Sequence, residues 1–303
     1  MFVAIWALAC LGMGWWRDTQ TSIMLVCPLM IALLGLWDDR YQLSARVKFL
    51  FQTAVALVFC LALAPSNIVI DLGLYSVILP DYLVVPLFSV LIVWSINIFN
   101  FMDGVDGLAA IEGLTVLLSG CFFFWMRDQE NGHIGMFLHL SFALAGFLIW
   151  NFPKASVFMG DVGSGFLGFM LAFMAIVGQV FYHIPIFVFM IVYGVFIVDT
   201  FVTIVRRMSR GEKWYLAHST HAYQRLQHIA GWSHSSILLY VVIHNVMLLV
   251  IACLVFFSRI SDGLAWCLYL LVLASYMGGV EILCSGSEKG GRRAPLPQVK
   301  DLP

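Results

Sequence analysis

Residues 82–126 read Y-L-V-V-P-L-F-S-V-L-I-V-W-S-I-N-I-F-N-F-M-D-G-V-D-G-L-A-A-I-E-G-L-T-V-L-L-S-G-C-F-F-F-W-M. Two apolar runs, near 82–100 and 104–126, each match the ~20 residues a helix needs to cross a bilayer. Between them lies N-F-M-D-G-V-D-G-L, with Asp103 and Asp106 each followed by glycine. Carboxylates beside a membrane span are costly and mark function by default.

The rest of the chain repeats this pattern. Of its 303 residues 62% are apolar and 11% charged, with a mean hydropathy of +0.95. A soluble domain is nearer ~45–50% apolar. Further runs near 1–16, 20–37, 45–64, 132–150, 165–182, 184–204, 236–258 and 263–283 bring the expected spans to ten, the first of them short. The expected fold is an all-α polytopic membrane protein with about ten transmembrane helices. A short external hairpin is expected in the alternating stretch 65–80. Residues 1–284 are expected to form one transmembrane domain, and 285–303 a polar, Gly/Pro-rich tail on the cytoplasmic side.

Threading these spans places Asp38-Asp39, Asp103, Asp106 and Asp161 on one face. Thirteen of the 16 Lys and Arg residues fall on that face too, and only Arg17, Arg127 and Arg259 fall opposite. The positive-inside rule makes it cytoplasmic, whereas the net charge of −1 says little. The seven cysteines lie in or beside apolar segments with no C-x-x-C pair, which excludes a disulfide framework or zinc site as the organising principle. The N-terminus lacks the basic region and cleavage site of a secretory signal. No internal repeat is visible.

Four loops on the acidic face carry the chemistry: 38–44, 97–107, 151–164 and 205–235. Asp38-Asp39 ends a span, with Arg40, Arg46 and Lys48 close behind. Adjacent carboxylates repel unless a cation or proton lies between them. A solvated helix end is the plain reading of one such pair, but the pattern recurs on the same face. Asn97, Asn100, Asp103 and Asp106 offer hard oxygens of the kind Mg²⁺ takes together with phosphate. A polar turn needs no such set. In V-F-M-G-D-V-G-S-G, Asp161 sits beside glycines at a helix start, where backbone N–H groups suit an anion. Close span packing would explain the glycines and leave Asp161 unexplained. The longest loop gathers Arg206, Arg207, Arg210, Lys213, Arg225, His218 and His221, a cationic set suited to pyrophosphate. Topology accounts for Arg206 and Arg207 but does not demand the histidines. Asp199, an acid within a span, is a further candidate, and His139 and His244 read as core residues.

L-G-L-W-D-D-R (34–40), N-I-F-N-F-M-D-G-V-D-G-L (97–108) and V-F-M-G-D-V-G-S (157–164) occur in order with spans between. In this the chain resembles the polyprenyl-phosphate N-acetylhexosamine-1-phosphate transferases of glycosyltransferase family 4, over roughly residues 20–230. The histidine loop departs from that family's H-x-H-H form. His221 takes the first histidine's place and Tyr223 that of the next. The form A-H-S-T-H-A-Y-Q-R-L looks more like the O-antigen-initiating branch, which accepts N-acetylfucosamine or N-acetylquinovosamine nucleotides.

The resemblance implies transfer of a sugar 1-phosphate from a UDP-N-acetylhexosamine to polyprenyl (undecaprenyl) phosphate, releasing UMP at the start of surface-polysaccharide synthesis. It implies Mg²⁺, with Mn²⁺ as the alternative ion, on Asn100 and Asp161. Asp38 and Asp39 would handle the lipid phosphate, Asp106 and Phe158 the uracil, and His221 with Arg225 the pyrophosphate or sugar. Asp103 joins Asp38, Asp39 and His221 as catalytic; Lys48 and His218 join the substrate-binding residues. The expected setting is the bacterial inner membrane with the site facing the cytoplasm. The bilayer, the two substrates and a second copy are the expected partners, and nucleic acid is not. Family members carry an extra N-terminal span and a P-x-x-G-G loop that do not appear before Met1, so a late start or a shortened relative is expected. The rival readings are an ion or solute transporter, which predicts inverted repeats and acids near mid-membrane, and a truncated inactive relative.

Overall fold

The computed structural model describes residues 1–15, 19–63, 65, 68–71, 75–128, 132–212 and 219–289. Its regular elements are helices apart from one hairpin. In order come α1 (Phe2–Gly12), α2 (Thr19–Tyr41), α3 (Ala45–Leu63), β1 (Val69–Asp71), β2 (Ser76–Ile78), α4 (Asp81–Met102) and α5 (Leu108–Arg127). They are followed by α6 (His133–Asn151), α7 (Gly160–Phe181), α8 (Ile186–Val192), α9 (Gly194–Ser209), α10 (Ala222–His228), α11 (His234–Phe256) and α12 (Asp262–Lys289). Inside a bilayer only intrahelical hydrogen bonds satisfy the backbone of a single apolar segment, which is why these runs are helices.

The all-α polytopic fold is as expected, with the count of spans slightly below ten. Among the described residues eight helices are long and apolar enough to cross a membrane, or nine if α8 and α9 form one broken span. The first run, 1–16, yields an 11-residue helix. At 1.5 Å per residue that is ~16 Å, about half the hydrocarbon thickness. The run 184–204 breaks at Tyr193, where α8 and α9 meet at 78°. Hydropathy sees apolar content but neither the length of ordered helix nor a bend. The α12 helix continues past Ser285 to Lys289, taking in the first part of the stretch read as tail.

The hairpin is where the alternation puts it. β1 and β2 pair antiparallel with Val69 opposite Ile78 and Asp71 opposite Ser76. Gln179 fastens it to the bundle, its Nε2 donating to the Val69 carbonyl (3.0 Å) while its Oε1 accepts from Ile186 N–H (3.1 Å).

The bundle is built around α7, which packs against α2 and α4 and is buried almost throughout. Small residues let these backbones touch. A Cβ on Gly35 of α2 would lie 2.3 Å from the Asp161 carbonyl oxygen, and one on Gly168 of α7 2.6 Å from the Ser95 carbonyl oxygen of α4. Ser95 Oγ donates to the Gly168 carbonyl at 2.7 Å in the same contact. Close approach of this kind, with interhelical hydrogen bonds, is what drives helix association in lipid. Leu33, Phe142, Ile149 and Leu271 point outward and exposed, as lipid-facing positions do. His139 and His244 each face the carbonyl four residues earlier in their helix, through Nδ1 (2.6 and 2.8 Å).

Candidate active site

The acidic motifs converge where α2, α3, α4 and α7 end on one face. Asp38, buried in the last turn of α2, accepts from Leu43 N–H (2.7 Å) and from Lys48 Nζ of α3 (2.5 Å). Lys48 Nζ stands 3.5 Å from Asp161 Oδ2, so one ammonium spans two carboxylates. Asp39 Oδ1 accepts from the Asp161 backbone N–H (3.1 Å) in the first turn of α7, where an acid also complements the helix dipole. Gly160, just before, has φ +64°, and a Cβ there would lie 2.9 Å from Asp39 Oδ2, so glycine is required. On α4, Asn100 Nδ2 donates to Asp161 Oδ1 (2.7 Å) and to Ser164 Oγ (3.1 Å).

Asp103 and Asp106 lie in the short turn between α4 and α5. Asp106 Oδ2 accepts from Ala155 N–H (3.2 Å) and stands 3.0 Å from His234 Nδ1 at the start of α11. Gly107 N–H donates to Asn151 Oδ1 (2.8 Å), and Asn151 Nδ2 donates to the Val157 carbonyl (2.9 Å), tying this turn to the loop before α7. The two loops enclose a cavity of about 330 Å³ lined by Asn100, Asp103, Asp106, Asn151, Phe158 and Asp161 among others. Phe158 is 75% exposed at its edge, an aromatic face available to a flat ligand. Enclosure by protein pushes the Asp103 carboxyl up to about 7, and the Asp161 and Asp39 carboxylates add to the shift.

Across the Asn100–Asp161 pair is a second, smaller cavity of about 30 Å³, touching Asp38, Lys48, Gln52 and Asn97. Asn97 Nδ2 donates to Gln52 Oε1 at 2.9 Å. Asn100 and Asp161 line both spaces.

The cationic loop is placed differently. His218 lies outside the described residues. His221 is 2% exposed, its Nδ1 3.1 Å from Asp199 Oδ1. Asp199 also accepts from Ala222 N–H (2.8 Å), Tyr223 N–H (3.3 Å) and the Tyr276 hydroxyl (3.1 Å). This intramembrane acid is thus the anchor on which the loop's return is built. Arg225 donates twice to Glu281 (2.6 and 2.9 Å), which raises its already high pKa, and Arg206 Nη1 reaches the same Glu281 at 2.5 Å. Neither His221 nor Arg225 lines the large cavity. Their neighbour Tyr223 supports it from behind, its hydroxyl donating to the Phe101 carbonyl (3.1 Å) beside Gly104.

Three contributors have no role assigned from the sequence. Asn151 and Ser164 bound the 151–164 stretch read for Asp161, and Glu281 is a single polar residue in an apolar helix; their partners give them their part.

The donor set at the cavity consists of carboxylate and amide oxygens, the chemistry of a hard divalent cation. No group of three or more His, Cys, Asp or Glu side chains forms a metal cage among the described residues. Mg²⁺ bound with phosphate uses one or two carboxylates and water; Asp161 offers such a carboxylate beside a polar cavity, while Asn100 here turns its Nδ2 toward Asp161 Oδ1.

Fold and site together define a multi-pass membrane protein with an acidic cavity of about 330 Å³ at the ends of its spans. The chain belongs to glycosyl transferase family 4, whose family model matches residues 21–179. It is 32% identical over 235 residues to the probable undecaprenyl-phosphate N-acetylglucosaminyl 1-phosphate transferase of Bacillus subtilis, covering 74% of this chain and 63% of that protein. It is 32% identical over 254 residues to the decaprenyl-phosphate N-acetylglucosaminephosphotransferase of Mycobacterium tuberculosis, covering 77% and 63%. A phospho-N-acetylmuramoyl-pentapeptide-transferase of Synechococcus is 34% identical over 182 residues, covering 57% and 52%. The match therefore spans a little under two thirds of the first two relatives' length.

Proposed function

We propose that this chain transfers an N-acetylhexosamine 1-phosphate from a UDP-sugar to polyprenyl phosphate at the cytoplasmic face of a bacterial inner membrane. The observation that carries the reading is the wall shared by two cavities, made of Asn100 and Asp161. The larger space has the volume and the Asp106–Phe158 lining for a nucleotide. On the smaller side Lys48 and Asp38 face the acceptor phosphate.

An acceptor phosphate oxygen attacks the sugar-bearing phosphorus, the bond to UMP breaks, and UMP leaves with the electron pair. The lipid-diphospho-sugar remains. A phosphate monoester is largely dianionic at neutral pH, so no strong base is needed. Lys48 offsets the negative charge between Asp38 and Asp161 and draws the acceptor toward them. Asp106 is held by Ala155 N–H and His234, aimed at the uracil edge, with Phe158 against the base. Mg²⁺, held by Asp161 and Asn100, would supply charge neutralisation at the phosphates. His221, Tyr223 and Arg225 shape the loop behind the cavity. Initiation of an O-antigen chain is the biological step this reading favours, because Tyr223 stands where other branches carry histidine. The acids cluster at the span ends, where a soluble nucleotide meets a lipid phosphate, which favours a transferase over a transporter.

The test is UMP release by the purified chain in detergent with undecaprenyl phosphate, Mg²⁺ and a panel of UDP-N-acetylhexosamines. Lipid-dependent UMP release is expected, with one donor preferred. Absence of release with every donor, repeated with an N-terminally extended chain, overturns the reading.

A further inference from the structure

Glu112 is an acid that the transfer chemistry does not use. It lies in the second turn of α5, fully buried at 0% exposure, inside a span. It enters none of the ion pairs found among the described residues. Its Oε2 accepts from Asn245 Nδ2 of α11 at 2.5 Å. The remaining polar atom of each side chain, Glu112 Oε1 and Asn245 Oδ1, is buried without a hydrogen-bond partner.

One proton answers both left-over atoms at once. A carboxylate and an amide oxygen are both acceptors and cannot satisfy each other. A carboxylic acid and a primary amide close a ring of two hydrogen bonds, amide N–H to one carboxyl oxygen and acid O–H to the amide oxygen. A single proton on Oε1 therefore satisfies both atoms. It also removes a full charge from a site where an unpaired carboxylate is most expensive.

The pair has a position that matters. α5 begins directly after the Asp103–Gly107 turn, with Gly107 as its cap. α11 begins with His234, whose Nδ1 stands 3.0 Å from Asp106. The same two elements are thus tied once at the membrane edge through Asp106 and once inside the span through Glu112.

We propose that Glu112 is a positioning residue carried as the neutral acid and hydrogen-bonded twice to Asn245. This ring, with the Asp106–His234 contact, sets where Asp106 stands in the cavity. The kinetic consequence rests on the UDP-sugar reading, whereas the protonation state does not.

Infrared difference spectra of the full chain in nanodiscs, wild type against Glu112→Gln, read the proton directly. The wild type is expected to show a protonated carboxylic C=O stretch that Glu112→Gln lacks. Loss of a carboxylate band instead overturns the proposal. In transfer assays Glu112→Gln keeps a two-bond ring, amide to amide, and should hold the donor KM within about two-fold. Glu112→Leu should raise the donor KM about ten-fold, with the acceptor KM unchanged. Equal damage in both variants, or donor and acceptor KM rising together, refutes the positioning role. If Glu112→Leu does not fold, Asn245→Leu breaks the same ring from α11 and is read the same way. If no donor is turned over by the wild type, the transfer reading fails while the infrared result still decides the proton.

Discussion

Asn100 donates its side-chain N–H to Asp161 Oδ1 across 2.7 Å, and this bond joins α4 to α7 where the two cavities meet. Removing the charge of Asp161 takes away the carboxylate that faces both spaces. Asp161→Asn should lower kcat by at least about 100-fold at saturating Mg²⁺, the usual size of losing one preorganised charge-stabilising group. Full transfer by this variant would rule out the metal-site model.

Lys48 holds Asp38 and Asp161 with one ammonium, and its effect should separate the two substrates. In Lys48→Met the two carboxylates lose their common cation, and an anionic acceptor meets more repulsion. The KM for polyprenyl phosphate is expected to rise about ten-fold with little change for the UDP-sugar, since a charge-assisted bond contributes about 1.5–3 kcal/mol. Steady-state kinetics with each substrate varied in turn checks this. An equal rise in both KM values would place Lys48 outside the acceptor side.

Asp103 gives the metal step a pH dependence. Its carboxyl is raised to about 7 by burial, with Asp161 and Asp39 adding to the shift, so below that pH it carries a proton. A divalent cation favours the ionised form, and binding must then release the proton. Apparent Mg²⁺ affinity should therefore fall as pH drops through about 7. Calorimetry in buffers of different ionisation enthalpy should detect the released proton near neutrality. Asp103→Asn should abolish that release, and if it persists the titrating group lies elsewhere.

Gly104 and Tyr223 form a tight contact that can be tested by crowding and relief. A Cβ on Gly104 would lie 2.3 Å from the Tyr223 hydroxyl oxygen. Gly104→Ala should destabilise the fold by ~1–3 kcal/mol, the usual cost of overpacking, and weaken donor binding through the Asp103–Asp106 turn. Tyr223→Phe removes the clashing oxygen, so the double variant should regain part of the lost thermal stability. A strictly additive double variant would show that the two residues do not share this contact. Tyr223→His probes the sugar branch separately, through a shift in donor preference.

How much of this is legible in the sequence follows from range. The spans and the acids at their ends are local features, apolar runs of sufficient length interrupted by Asp38, Asp103 or Asp161. The hairpin shows itself by alternation. The first run already reads as short, but the bend at Tyr193 stays hidden, because hydropathy does not distinguish a straight span from a helix that turns. By residue type alone the histidine loop reads as a ligand for anions. Its main partners are distant, Asp199 being 22 residues from His221 and Glu281 56 residues from Arg225, and no local pattern announces them. Asn151 gains its meaning only through a residue on another element; Glu112, an acid inside a span, shows itself as Asp199 does, and only its partner Asn245 is hidden.

Asp199 offers a test of whether the loop behind the cavity is held or merely present. Its two oxygens accept from two consecutive backbone N–H groups, a tyrosine hydroxyl and Thr203 Oγ1, and face His221. An amide of the same shape keeps one acceptor oxygen and turns the other into a donor, which opposes the N–H groups already pointing at it. Each buried donor left without an acceptor costs ~1–3 kcal/mol. Asp199→Asn should therefore loosen the segment 219–223, seen as faster proteolysis there, and lower kcat even though Asp199 does not line the large cavity. Asp199→Glu keeps the charge but lengthens the side chain, and should restore part of both. Unchanged proteolysis with lost activity would instead assign Asp199 a direct part in the reaction.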